Sequence, residues 1–211
     1  MNKDFNKQDF FKKTNVSRET MEKIEIYANL LQKWQKKINL VSGTTIPDLW
    51  CRHFYDSFQL KDHLEGAASR KLRILDIGSG AGFPGLLLSM LGLGEFHMIE
   101  SNGKKCAFMR QVIRKTGCNA IVHNERVEDM KPFPVDYIIS RACAPLDKLL
   151  DLGRNFMGEN TICLFLKGQI VEQEIVDARE NWLFEHEKFT SVSEETGVIL
   201  KVSHIKGLSR V

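Results

Sequence analysis

Apolar positions Met21, Ile24, Tyr27, Leu30, Leu31, Trp34 and Ile38 recur at helical spacing behind Ser17, a residue suited to an N-cap. They predict an amphipathic helix whose stripe faces a core. The first fifteen residues are polar and predict a loose segment. A second helix is expected to open at Pro47, which fits a first helical turn, and to run through 49–60 as far as the breaker-rich stretch 65–70. From Leu72 the texture changes to short apolar runs at 72–78, 96–101, 120–124, 135–140 and 161–168, alternating with helical patterns such as 85–92 and 104–115. Repeated βαβ units and a parallel sheet follow from that alternation. A polar helix is expected near 171–183. The segments 187–193 and 197–205 then flank the turn residues Glu194 to Gly197 and predict a closing hairpin, for a total of six or seven strands. The helices of 1–69 read as a cap on a core of 70–211, and the two together as one domain.

The first strand of this core runs into Gly78-Ser79-Gly80-Ala81-Gly82-Phe83-Pro84-Gly85. Glycines let the backbone turn sharply and approach a ligand closely, and Pro84 can start a helix whose amides and dipole face the same spot. A nucleotide-sized pocket at the carboxyl edge of the sheet is the result. A dinucleotide fold wants a small residue at the third glycine position, where Phe83 stands, which disfavours a nicotinamide oxidoreductase. The observed pattern, acidic-x-G-x-G-x-G from Asp76, resembles the first motif of Rossmann-type S-adenosylmethionine-dependent methyltransferases. Glu100 ends the second strand about twenty residues beyond the glycines, where a carboxylate can accept both ribose hydroxyl hydrogens. Val127 and Glu128 follow the third strand and are the candidates for covering adenine and reading its amino group. A ligand-free turn and solvated acids are the competing readings of these features taken singly.

At the end of the fourth strand, amino-directed methyltransferases of this fold carry Asn/Asp-Pro-Pro-aromatic. This chain has Ser140-Arg141-Ala142-Cys143-Ala144-Pro145. A target nitrogen without a proton needs neither those acceptors nor a general base, and guanine N7 is such an atom. Catalysis then reduces to alignment and desolvation, with no catalytic acid or base assigned. Arg141 is expected to position either the methionine carboxylate of the cofactor or an RNA phosphate, with a structural ion pair as the alternative. Cys143 is not read as a nucleophile. Arg52, His53, Asp56 and Ser57 lie within two turns of one helix, which favours a local Arg52–Asp56 pair over a hydrolytic relay.

Composition adds limits. With 211 residues, 43% hydrophobic and 27% charged, the chain is ordinary globular material, which excludes disorder and disulfide scaffolds. The five cysteines are odd in number and contain no CxxC, and no His spacing suggests a metal, so a reducing compartment and no metal site are expected. With no signal peptide and no apolar run fit to span a bilayer, a soluble cytoplasmic protein is expected. The net charge of +3 implies a polyanion partner only if concentrated. Lys104, Lys105, Arg110, Arg114 and Lys115 form such a concentration, with Arg52 and Lys167 as further candidate RNA contacts and Lys3, Lys7, Lys12, Lys13, Lys33, Lys36 and Lys37 as a second basic segment. Since N7 lies in the deep, narrow major groove of an RNA helix, a looped or incompletely folded target is required.

The stretches W34-Q-K-K-I-N-L-V, RHFYDS, DIGSGAGFPG, IESNGKKCAFMRQV, RVEDM, IISRACAPL and LFLKGQ together resemble the glucose-inhibited division protein B family of bacterial small-subunit ribosomal RNA methyltransferases, over nearly the whole chain. The resemblance implies a Rossmann-like α/β fold with a seven-stranded, mostly parallel sheet. It also implies S-adenosyl-L-methionine as cofactor and transfer of its methyl group to N7 of a guanine in the decoding-region loop of 16S rRNA, within the small subunit or its precursor. Family cofactor contacts carry over to Gly78, Phe83, Val127, Glu128 and Arg141, and Glu100 matches the ribose position. The reading of Asp76, Gly80 and Gly82 comes from the glycine turn itself. Gln35 stands where the family usually has Asn, and Cys143 replaces a larger apolar residue. A monomer is expected. A methyltransferase for another RNA and a non-catalytic nucleotide sensor remain the alternatives.

Overall fold

The structure, a computed structural model, describes residues 5–66, 70–141 and 143–208. Lys3, the breaker positions 67–69 at the cap–core junction, and Ala142 lie outside the described residues. Seven strands form one sheet in the order β3-β2-β1-β4-β5-β7-β6. These are β1 (Leu72–Ile77), β2 (Gly94–Ile99), β3 (Ala120–His123), β4 (Val135–Arg141), β5 (Met157–Lys167), β6 (Trp182–Thr190) and β7 (Val198–Gly207). The first five run parallel, and β7 is antiparallel to both β5 and β6. Strand β1 sits between β2 and β4, so the chain reverses its direction of travel across the sheet there, and that reversal opens a crevice at the carboxyl ends of the strands.

Both faces of the sheet are covered, which is why β1, β2 and β4 read as near-continuous apolar runs rather than alternating ones. On one face Leu75, Ile77, Ile138 and Phe165 meet α6 (Leu146–Gly153) and α7 (Val171–Ala178). On the other, Ile74, Phe96, Met98 and Ile139 join a core that continues through α4 (Gly85–Ser89) and α5 (Gly103–Thr116) into the cap residues Ile24, Tyr27 and Phe54. The cap therefore shares its core with the sheet.

Ser17 caps α2 (Arg18–Gln35) as its position suggests, accepting from Thr20 N. Other expectations need correction. The first fifteen residues are not loose: Lys7–Thr14 forms α1 through a reciprocal Asn6–Asp9 capping box, and Phe10 packs among Trp50, Phe54, Tyr55 and Phe58. The second cap helix begins at Trp50 rather than Pro47. It starts with a π-helical turn, Trp50–Tyr55, passes through α3 (Asp56–Phe58) and ends in a 3₁₀ turn, Gln59–His63. The helix expected over 171–183 stops at Ala178, because Trp182 and Phe184 are drawn onto the sheet as the start of β6. The hairpin turn is where the glycine put it: Gly197 N donates to Glu194 O, and Ser191 N to Gly197 O.

Candidate active site

A cleft of about 1140 Å³ opens at the carboxyl edge of the sheet, between the glycine turn, the cap and the β6–β7 loop. Gly78, Gly80 and Gly82 all take positive φ (68°, 57° and 96°), a backbone region closed to most L side chains. At Gly78 a Cβ would meet Cys143 Sγ at 2.3 Å, whereas at Gly80 nothing but the Gly78 carbonyl oxygen, at 3.8 Å, lies within 4 Å. The turn is thus packed against Cys143 of the cleft wall at Gly78 and open at Gly80.

Asp76 lies beneath this turn. Its carboxyl is fully buried, accepts from Gly85 N at 3.0 Å through Oδ2, and leaves Oδ1 without a partner. Burial pushes its pKa up to about 7 against the opposing pull of the Gly85 amide and Arg141. The leading amide of α4 is satisfied by Asp76 from within, so it does not face a ligand as the sequence suggested. Gly82 and Phe83 also stand outside the cleft wall. Phe83 is buried between Tyr27, His53 and Phe54, and joins cap to turn. Tyr27 strengthens that join by donating to Ala81 O at 2.6 Å.

Glu100 lines the cleft directly. Its Oε2 accepts from Gly80 N at 3.0 Å and its Oε1 from Asn102 N at 2.7 Å, which fixes the carboxylate and leaves acceptor capacity on both oxygens. Val127 and Glu128, on a 3₁₀ turn, line the same end, together with Ile99, which sequence reasoning missed. The sequence pattern of a strand ending in an apolar-acidic pair could have found it. An apolar slot, a fixed carboxylate and an open glycine edge suit an adenosine, and these residues fit S-adenosylmethionine.

Arg141 ends β4, and its half-buried guanidinium turns toward the cap. Nη1 donates to Arg52 O at 3.0 Å and Nη2 to His53 Nδ1 at 2.9 Å. Its Nη1 stands 3.7 Å from Asp56 Oδ2, and the group lies over the Phe83 ring. Because arginine only donates, His53 Nδ1 must accept and Nε2 must carry the proton that bonds Thr45 Oγ1 at 2.7 Å. Burial, followed by Arg141 and Arg52, lowers the His53 pKa to about 3, so the ring stays neutral. The Arg52–Asp56 pair expected from helical spacing is absent. Arg52 pairs instead with Glu194 at 2.6 Å, and Asp56, largely buried, accepts from Gln59 three residues on and from Ser193 of the β6–β7 loop, so that its carboxylate faces those donors rather than Arg52.

The basic candidates separate. Lys105 lies on the cleft rim and Lys104 beside it, at the start of α5, whereas Arg114 and Lys115 sit about 15 Å along at its far end, where they complement the helix dipole. Arg110 donates to Val122 O. Lys167 is not a surface contact: its side chain is 6% exposed, and its ammonium bonds Glu174 at 2.5 Å and Ala144 O at 2.8 Å, and so ties down the loop after β4. In the N-terminal segment Lys7 is paired with Glu25, and Lys13 lies over Tyr55. Gln35 holds the next loop by bonding the Leu40 and Val41 amides and the Val41 carbonyl.

Among solved structures, a ribosomal protein L11 methylase from Lactobacillus delbrueckii superposes with a TM-score of 0.58 at 15% identity over 71% of this chain and 78% of its own. A SAM-dependent methyltransferase from Aquifex aeolicus gives 0.56 at 16% over 74% and 93%. The fold is accordingly that of the S-adenosylmethionine-dependent methyltransferases. Sequence relatives narrow this class. Proteins of Paramagnetospirillum magneticum and Rhodospirillum rubrum, each named ribosomal RNA small subunit methyltransferase G, are 41% and 45% identical over 96% and 90% of this chain, and over 96% and 93% of their own lengths. The model for rRNA small subunit methyltransferase G matches residues 20–201, and the chain belongs to that family.

Proposed function

We propose that the protein transfers the methyl group of S-adenosylmethionine to N7 of a guanine in the decoding-region loop of 16S rRNA, acting in the cytoplasm as a monomer on the small subunit or its precursor. The observation that carries this reading is one continuous cleft whose glycine-turn end suits an adenosine and whose other end, between cap and β6–β7 loop, suits a base. When bound, the cofactor supplies an electrophilic methyl on a sulfonium. Glu100, Ile99 and Val127 hold its adenosine. The wall after β4 carries Cys143 where amino-directed enzymes have acceptors, and a neutral ring nitrogen with a lone pair requires none. Alignment and exclusion of water then supply the rate. Lys104, Lys105 and, on release from Glu194, Arg52 meet phosphate at the mouth, and the target base reaches the cleft by leaving its stack.

Labelled cofactor and small subunits from a strain lacking the modification test this. One guanine should acquire label, and borohydride and aniline should cleave the RNA there, as they do at 7-methylguanosine. No incorporation, or label on a pyrimidine, overturns the proposal.

A further inference from the structure

Asp56 lines the base end of the cleft but has no part in holding the cofactor. Its two oxygens are used unequally. Oδ1 collects three donors: Ser193 Oγ at 2.5 Å, Gln59 Nε2 at 3.0 Å and Ser191 Oγ at 3.4 Å. Oδ2 accepts no hydrogen bond among the described residues, its neighbour being Arg141 Nη1 at 3.7 Å. The side chain is 16% exposed, and Oδ1 is enclosed by its donors, so the accessible portion belongs to the cleft that Asp56 lines. Arg141 spends two of its five N–H groups on Arg52 O and His53 Nδ1, and retains others. An immobilised acceptor thus stands beside an immobilised donor at the place left for a base.

We infer that Asp56 selects guanine, its Oδ2 accepting from the N1–H and the 2-amino group while the Arg141 guanidinium faces O6. This rests on the proposed guanine N7 activity. Guanine presents an acceptor followed by two donors along this edge; the N1–H and 2-amino donors lie away from N7, so Asp56 can read them while N7 stays free, and only O6, beside N7, faces the guanidinium. Adenine in the same pose puts an amino group against the guanidinium and a lone pair against the carboxylate, leaving buried groups unpaired on both sides.

The test uses small-subunit RNA assembled with guanosine or inosine at the target position, inosine lacking the 2-amino group, and compares the wild type with Asp56→Asn. Asparagine keeps an oxygen for Ser193, Gln59 and Ser191 but replaces the accessible acceptor by a donor. The wild type should prefer guanosine about tenfold in kcat/KM. D56N should lose about ten- to a hundredfold on guanosine, the range for one hydrogen bond to a charged group, with the preference abolished and cofactor Kd unchanged. A guanosine-to-inosine ratio in D56N equal to the wild-type ratio overturns the assignment, whatever its absolute rate. If D56N does not fold, the wild type decides alone, since equal rates on guanosine and inosine also overturn it. Methylation mapped away from guanine N7 refutes the underlying activity, whereas correct mapping without discrimination refutes only the role of Asp56.

Discussion

Asp76 sits beneath a turn built to approach a ligand and carries a carboxyl that burial keeps partly protonated near neutrality. A raised carboxyl pKa means that the native state holds its proton longer than the unfolded chain does. Stability is therefore full below about pH 4 and falls as pH rises toward 7. His53 acts in the opposite sense: its pKa, depressed to about 3, makes stability rise with pH up to about 6.5. Comparing Asp76→Asn with the wild type removes the His53 contribution, which is common to both. Urea titrations at pH 5 and pH 8 should show the wild type losing up to a few kcal/mol relative to the variant; parallel pH profiles contradict the burial argument. The glycine turn, Glu100, Val127 and Glu128 were legible as a group because local backbone demands and strand spacing fix them. Asp56 was not, since its partners Ser191 and Ser193 lie more than 130 residues away and no helical spacing encodes them.

Among the elements, the composite cap helix has the greatest influence on the cleft. Arg141 holds it to β4 through the Arg52 carbonyl and His53, so Arg141→Ala removes a cap anchor and leaves Asp56 without its neighbouring cation. The expected loss is about 2–4 kcal/mol, read as a lower Tm, together with loss of turnover. A variant with wild-type Tm and no activity would instead place Arg141 on substrate alone. The parallel sheet and the closing hairpin followed from hydrophobic texture and turn residues, whereas the order of the strands within the sheet, α1 and α6 escaped it. Helix α1 is short and polar except for Phe10 and its neighbours, and only the Asn6-x-x-Asp9 spacing announced it.

For the whole molecule, a net charge of +3 matters through placement. Helix α5 divides its cations between the cleft rim and its own far end. Removing Lys104 and Lys105 together should weaken RNA binding and reduce the slope of log K against log salt by about 1–2, as expected for one or two lost phosphate contacts. Arg114→Ala with Lys115→Ala should leave that slope unchanged; equal effects of the two pairs would place the RNA along the entire helix. A sequence window sees five cations within 104–115, and only the rise of the helix separates them in space.

The base end of the cleft is assembled from cap residues Arg52, Asp56 and Gln59 and from Ser191 to Glu194, reached only after all but one of the strands have been laid down. The adenosine end is complete by Glu128. During synthesis, therefore, a growing polypeptide acquires the glycine turn, Glu100, Val127 and Glu128 long before the serines that complete the opposite wall. Both ends of the cleft exist together only once the closing hairpin has formed, so the finished cavity is a late product of synthesis.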